Sequence, residues 1–190
     1  IVLADDNGVN RARTLNAGRV QPHHGLSPDQ WHTFAQGAER IARATLEHTG
    51  VRTVFHFHCA GFVETPAEVD SLMERTDPQL VGLCFDTGHY AYGGGNAVDG
   101  LKRHLDRVWH VHFKDCHGEI ARRAREQGWD YFRAVREGVF CELGQGSVDF
   151  GAIAGVLREH AYDGWIVVEQ DVLPGMGTPL ESAVRNRDHL

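Results

Sequence analysis

Short apolar runs alternate along the chain with stretches of helical periodicity. Five runs are nearly continuous in hydrophobic residues: 1–6 (IVLADD), 51–59 (VRTVFHFHC), 79–86 (QLVGLCFD), 107–115 (RVWHVHFKD) and 164–171 (GWIVVEQD). Each has the length and character of a strand covered on both faces, as in a parallel sheet. From Pro28 to His48, Trp31, Phe34, Ala35, Ala38, Ile41, Ala42 and Leu46 recur at helical spacing, and Gly50 follows as a stop. Ser27-Pro-Asp-Gln30, Thr65-Pro-Ala-Glu68 and Thr178-Pro-Leu-Glu181 each place a capping hydroxyl, a proline at the first helical position and Gln or Glu three residues after the cap. Further helices are predicted over 97–106, 118–137 and 149–161, the last with Phe150, Ile153, Val156 and Leu157 facing inward.

Alternating strands and helices mean either an open doubly wound sheet or a (β/α)8 TIM barrel. The polar residues favour the barrel. Asp86, His112, Lys114, Asp115 and Glu169 all fall at the C-terminal ends of their strands, where barrel enzymes gather chemistry from several strands. An open sheet would concentrate its site at one switch point with a glycine-rich loop, and Gly93-Gly-Gly95 lacks that spacing. The gap between the fourth and fifth strands is about twice a βα unit. Residues 116–146 therefore read as an insertion within a single domain, 1–190. A full barrel needs ~250 residues. The expected fold is thus α/β, the C-terminal five βα units of a truncated TIM barrel with unpaired sheet edges, in keeping with a first residue, Ile1, that is already strand-like.

Charge narrows the partners. With 19 Lys+Arg against 26 Asp+Glu the formal charge is −7, which argues against nucleic acid. No apolar run approaches the ~20 residues that span a bilayer, so no membrane partner is expected. Cys59, Cys84, Cys116 and Cys141 form no C-x-x-C pair and read as reduced thiols of a cytoplasmic protein.

Histidine changes the picture most. Residues two apart on a strand share a face, so His56 and His58 point one way, and His110, His112 and Lys114 point one way on the next but one strand. Any one of these histidines reads as a hydrogen-bonded core residue, and Asp86-Thr-Gly-His89 by itself as a capped turn. Together, His56 or His58, Asp86, His112 and Glu169 supply one donor from each of four successive strand ends, which is the pattern of a metal site. Mixed imidazole and carboxylate donors suit Mn²⁺, Co²⁺, Fe²⁺ or Zn²⁺. Lys114 has Asp115 or Asp86 as alternative ion-pair partners. Segment 7–27, with Arg11, Arg13, Arg19, His23 and His24, reads either as a lid that clamps a polyol or phosphate or as a surface loop. Arg122, Arg123 and Arg125 read as a solvated helix face or a contact between subunits of a homo-oligomer.

Phe85-Asp-Thr-Gly-His89, His110-Val-His-Phe-Lys-Asp115, Leu143-Gly-Gln-Gly-Ser-Val-Asp149 and Val167-Val-Glu-Gln170 resemble the last strand motifs of the xylose isomerase-like barrels. That superfamily holds sugar phosphate isomerases and epimerases. His56-Phe-His58, Val63-Glu-Thr65 and Asp29-Gln-Trp31 resemble its inosose dehydratase subgroup. The resemblance implies one divalent metal, Mn²⁺ or Co²⁺ first and Zn²⁺, Fe²⁺ or Mg²⁺ as alternatives, on Asp86, His112 and Glu169. Many relatives supply a fourth ligand as glutamate from the strand that here carries Val54-Phe-His56-Phe-His58. His56 is taken as its replacement and His58 as lining the substrate pocket. The resemblance also implies a base, Glu169, and acid or hydroxyl-orienting groups, His89 and Lys114. His110, Asp115 and Glu142 are further candidate substrate contacts, Glu142 with a solvated turn as the alternative reading. The implied reaction is dehydration of a keto-cyclitol such as 2-keto-myo-inositol: a proton leaves beside a metal-polarised carbonyl and a β-hydroxyl is lost. A sugar isomerase or epimerase on the same site is the alternative, ahead of a metal-free binding protein or an apurinic endonuclease.

Overall fold

The computed structural model describes residues 1–190. In chain order its elements are β1 (Val2–Ala4), α1 (Arg11–Leu15), α2 (Pro28–Thr49), β2 (Thr53–His56), α3 (Pro66–Arg75), β3 (Val81–Asp86), α4 (Thr87–Tyr92), α5 (Ala97–His104), β4 (Val108–Phe113), β5 (Asp115–Cys116), α6 (Gly118–Gln127), α7 (Tyr131–Arg136), β6 (Phe140–Cys141), α8 (Phe150–Glu159), β7 (Ile166–Val168) and α9 (Pro179–His189). The five apolar runs form one parallel sheet in the order β1-β2-β3-β4-β7. β5 and β6 pair antiparallel as a separate small ladder. All three capping boxes form, at Ser27, Thr65 and Thr178. No helix is long and apolar enough to cross a membrane.

Three expectations need correction. β1 and β7 are the sheet edges, and Val2, Ile166 and Val167 are exposed, so only β2, β3 and β4 are covered on both faces. The predicted helix 118–137 is two, because Gly128 turns left-handed (φ +66°) after α6 and Asp130 caps α7. Segment 7–27 is no open loop. It contains α1, from which the fully buried Arg13 donates Nε to the Gly61 carbonyl (2.6 Å) and its two terminal nitrogens to the Glu68 carboxylate (2.7 and 2.9 Å). Arg13 is thus a fastening between α1 and α3, not a substrate clamp.

The main core lies between the sheet and the helices. Phe55 and Phe57, Leu83 and Phe85, and Val111 and Phe113 face it with Val69, Leu72, Ile153 and Leu157. The opposite face carries the polar residues. Leu83 is in register with Val108 but Cys84 with His110, so Trp109 is the extra residue of a bulge. That one residue reverses the alternation: Val108 faces the helical core, yet His110 and His112 do not. Gly82 is required beneath the bulge, because the Trp109 indole, itself covered by the Arg52 guanidinium, occupies the space of a Cβ.

Candidate metal centre and active-site pocket

Asp86 ends β3 and begins α4. Its Oδ1 accepts the backbone N–H of His89 (2.7 Å), capping the helix. The Thr87 hydroxyl donates to the Lys114 carbonyl (2.7 Å) and accepts the Lys114 N–H (3.0 Å). At Gly88 a Cβ would meet the Lys114 side chain (2.6 Å). The capped turn read from Asp86-Thr-Gly-His89 therefore exists, and it also pins the end of β4 and leaves Asp86 Oδ2 free.

Around Oδ2 the strand ends converge. His56 Nε2 lies 3.5 Å from Asp86 Oδ2 and 3.9 Å from Glu169 Oε2. His112 Nδ1 lies 3.8 Å from Asp86 Oδ2 and 3.2 Å from Glu169 Oε1. One donor atom each of His56, Asp86, His112 and Glu169 falls within 4.8 Å of the others, an arrangement that could hold a metal ion. Asp86 Oδ2, His112 Nδ1 and both ring nitrogens of His56 are buried without a hydrogen-bond partner. Such groups are costly unless something satisfies them.

The charges point the same way. Lys114 Nζ contacts Glu169 Oε2 (3.1 Å) and Asp171 Oδ2 (3.3 Å), rather than forming the pairs with Asp115 or Asp86 considered from sequence. Burial pushes Lys114 down, but Asp86, Asp171 and Glu169 outweigh it and hold the ammonium above the usual lysine range. Burial pushes Asp86 and Glu169 up, yet Lys114 and His56 hold Asp86, and His112, Lys114 and His56 hold Glu169, below the usual carboxylate range. Burial keeps His58 neutral, its pKa lowered to about 3, and His89 is lowered likewise. Three carboxylates (Asp86, Glu169, Asp171) against one ammonium (Lys114) leave two negative charges, a match for a divalent cation.

A pocket of about 470 Å³ opens beside these donors, lined by Asn7, His58, His89, Lys114, Tyr131, Val168, Glu169, Gln170 and Asp171. His58 stacks on His56 (ring centroids 4.0 Å apart) and is not among the convergent donors. His89 Nε2 lies 3.3 Å from Lys114 Nζ. Other expected contacts stand elsewhere. His110 neighbours His112 and Cys84, one layer farther from the strand ends. The Asp115 carboxylate is occupied by four backbone N–H groups, those of Cys116, Gly144, Gly146 and Val148, at 2.8 to 3.1 Å. Glu142 pairs with Arg185 (2.6 Å) and lines a neighbouring cavity. Asn7, Tyr131 and Asp171 escaped the sequence reading, and Gln170 stood in it only as the last residue of Val167-Val-Glu-Gln170. Asp171 alone left a signal there, as the second acid of Glu169-Gln-Asp171 at a strand end.

The wall that carries His58 is held from behind by Glu64. Its buried carboxylate accepts the N–H groups of Gly18 and Ala60, both at 2.7 Å. Burial raises its pKa from 4.5 to about 7, against the downward pull of those N–H groups and Arg13. Between these values the folded chain keeps a proton that the unfolded chain has released, so stability falls as pH rises through the window. Relative to Glu64→Gln, the wild-type chain should lose about 3 kcal/mol between pH 4.5 and 7.5. Urea unfolding of both proteins at several pH values checks this, and parallel curves would contradict it.

A family model described as xylose isomerase-like TIM barrel matches residues 6–188. Among curated proteins, inosose dehydratase of Clostridium botulinum (strain Eklund 17B / Type B) is 36% identical over 190 residues, all of this chain and 63% of that protein. Inosose dehydratase of Bacillus velezensis is 38% identical over 176 residues, 93% of this chain and 58% of the relative. The chain thus spans less than two thirds of the length of these relatives. Among solved structures, the IOLI protein with a bound zinc atom superposes with TM-score 0.64 at 18% identity, covering 86% of this chain and 56% of the other. The probable 3-DHS dehydratase AsbF of Bacillus anthracis gives TM-score 0.64 at 15% identity, with the same coverages. At such identities the structures speak for the fold.

Proposed function

The chain belongs to the xylose isomerase-like TIM barrel family, and on that premise we propose that it serves a divalent-metal-dependent lyase that dehydrates a keto-cyclitol such as 2-keto-myo-inositol. The observation that carries the reading is the group of unpartnered buried donors on His56, Asp86 and His112, closed by Glu169. Relatives named inosose dehydratase supply the substrate class. The zinc atom named for the IOLI structure supports a metal. Mn²⁺ or Co²⁺ fits the mixed imidazole and carboxylate donors, and Zn²⁺ or Fe²⁺ would also be accepted by them.

His56, Asp86, His112 and Glu169 would hold the ion. When bound, a divalent cation polarises a carbonyl and stabilises the oxyanion that develops beside it. Glu169, ionised at neutral pH, takes the proton from the carbon next to the carbonyl. Lys114 gives a proton to the departing β-hydroxyl, which leaves as water. With Lys114 Nζ 3.1 Å from Glu169 Oε2, the proton gained by the carboxylate can restore the ammonium, so the pair ends the turnover as it began. His58 and His89, both neutral, and the Tyr131 phenol face the same pocket and orient the remaining hydroxyls.

The test is turnover of 2-keto-myo-inositol by protein loaded with Mn²⁺ or Co²⁺, read by mass spectrometry as loss of one water. Conversion at constant mass would assign the site to an isomerase or epimerase, and no metal uptake would end the reading. Tyr131 accepts from Asn7 Nδ2 (3.4 Å), which leaves its own hydroxyl hydrogen for substrate. Tyr131→Phe should therefore raise KM about tenfold, the value of one hydrogen bond, with kcat little changed. Steady-state kinetics on the loaded enzyme checks the split.

A further inference from the structure

Below the four strand-end donors lies a fifth that this chemistry does not use. Cys84 sits two residues before Asp86 on β3, faces the same way and is fully buried. Its partners in register are His56 on β2 and His110 on β4. One donor atom each of His56, Cys84 and His112 lies within 4.8 Å of the others. This second set keeps both imidazoles of the first and exchanges the carboxylates for sulfur. His56 is only 2% exposed, and neither of its ring nitrogens has a hydrogen-bond partner. The other buried thiols lie elsewhere: Cys59 donates to the His89 carbonyl, and Cys116 belongs to the β5–β6 ladder.

We propose that His56, Cys84 and His112 form a second, sulfur-bearing position for the thiophilic d¹⁰ ion Cd²⁺ that excludes an ion from the carboxylate-bearing position. Hard ions such as Mn²⁺ favour oxygen donors, whereas thiolate selects soft ones, so the two positions sort ions by chemistry. Exclusion follows because both sets need the same two imidazoles. As the sulfur–metal bond forms, the thiol proton passes to solvent, so the buried site gains one positive charge in place of two. A thiophilic ion so held leaves Asp86 and Glu169 outside its donor set, and the chain becomes inactive while still loaded with metal. The proposal rests on the reading of His56 and His112 as ligands.

The test is titration of the purified chain with Cd²⁺, followed by thiolate-to-cadmium ultraviolet absorption and by release of previously bound Mn²⁺ as the free-ion electron paramagnetic resonance signal. A band saturating at one Cd²⁺ per chain, with matching Mn²⁺ release, is expected. Cys84→Ser should lose the band and still bind Mn²⁺; Cys141→Ser should keep both. Cadmium NMR of the wild-type chain, which separates thiolate from purely nitrogen and oxygen ligation, decides the case if Cys84→Ser does not fold. Mn²⁺ binding with no thiolate band in the wild type, or a band undiminished in Cys84→Ser, overturns this proposal alone. Failure to bind either ion overturns the metal reading as a whole.

Discussion

Asp86→Asn should release the metal while leaving α4 in place. The asparagine carbonyl can still accept the His89 N–H that Asp86 Oδ1 accepts at 2.7 Å, so the helix cap survives. What goes is the anionic oxygen that faces His56 and His112 without a hydrogen-bond partner. On the proposed function, loss of the ion removes several kcal/mol of oxyanion stabilisation, so turnover of the keto-cyclitol should fall about 10³-fold or more. Elemental analysis and kinetics, with circular dichroism as the control for folding, check the expectation. A variant that still holds one ion per chain would show that the donors have been misassigned.

Arg13→Met should give the largest loss of stability. The guanidinium is fully buried and bonded on all three nitrogens, two of them to Glu68. Burial pushes Glu68 up, but Arg13 outweighs it and holds the carboxyl below the usual range. Removing the cation leaves a largely buried carboxylate uncompensated, which typically costs about 3–5 kcal/mol. Glu68→Gln added to Arg13→Met should recover part of that, because the stranded charge is gone and a side-chain oxygen remains for the Thr65 N–H. Urea midpoints at unchanged m value measure both steps. A loss under 1 kcal/mol in the single variant would mean that α1 is not held by this pair.

The contrast between these two sites explains what could be read from sequence. The convergence of Asp86, His112 and Glu169 was legible because each puts a polar side chain at the C-terminal end of an otherwise apolar strand, and those ends lie side by side in a parallel sheet. The choice of His56 over His58 came from the resemblance and not from the pattern, since both share a face: in register His56 lies level with Cys84, a layer before Asp86, yet its Nε2 reaches to 3.5 Å from Asp86 Oδ2 and joins the convergent donors, which His58 does not. Capping boxes were legible because cap and partner are three residues apart. Arg13–Glu68 was not, since 55 residues separate its ends and a buried arginine is read as surface by composition. Nor did the pattern disclose that Asp115 is spent on backbone N–H groups, for a carboxylate at a strand end looks the same whether it faces a pocket or a loop. Asn7 and Tyr131 lie 124 residues apart and meet only through the fold.

Asp115 joins two places where the chain leaves and returns. Its carboxylate grips Cys116 on the way out and Gly144, Gly146 and Val148 on the way back, while β5 and β6 are zipped between them. Everything from α6 to α7 hangs from that knot and packs through Ala124, Trp129, Ala134 and Val139 against Ala17, Cys59, Ala60 and Tyr92 of the main body. The excursion is therefore held at its root by Asp115 and along its inner side by the segments that flank His58 and His89, so Tyr131 is carried to the pocket on a support fastened at both places.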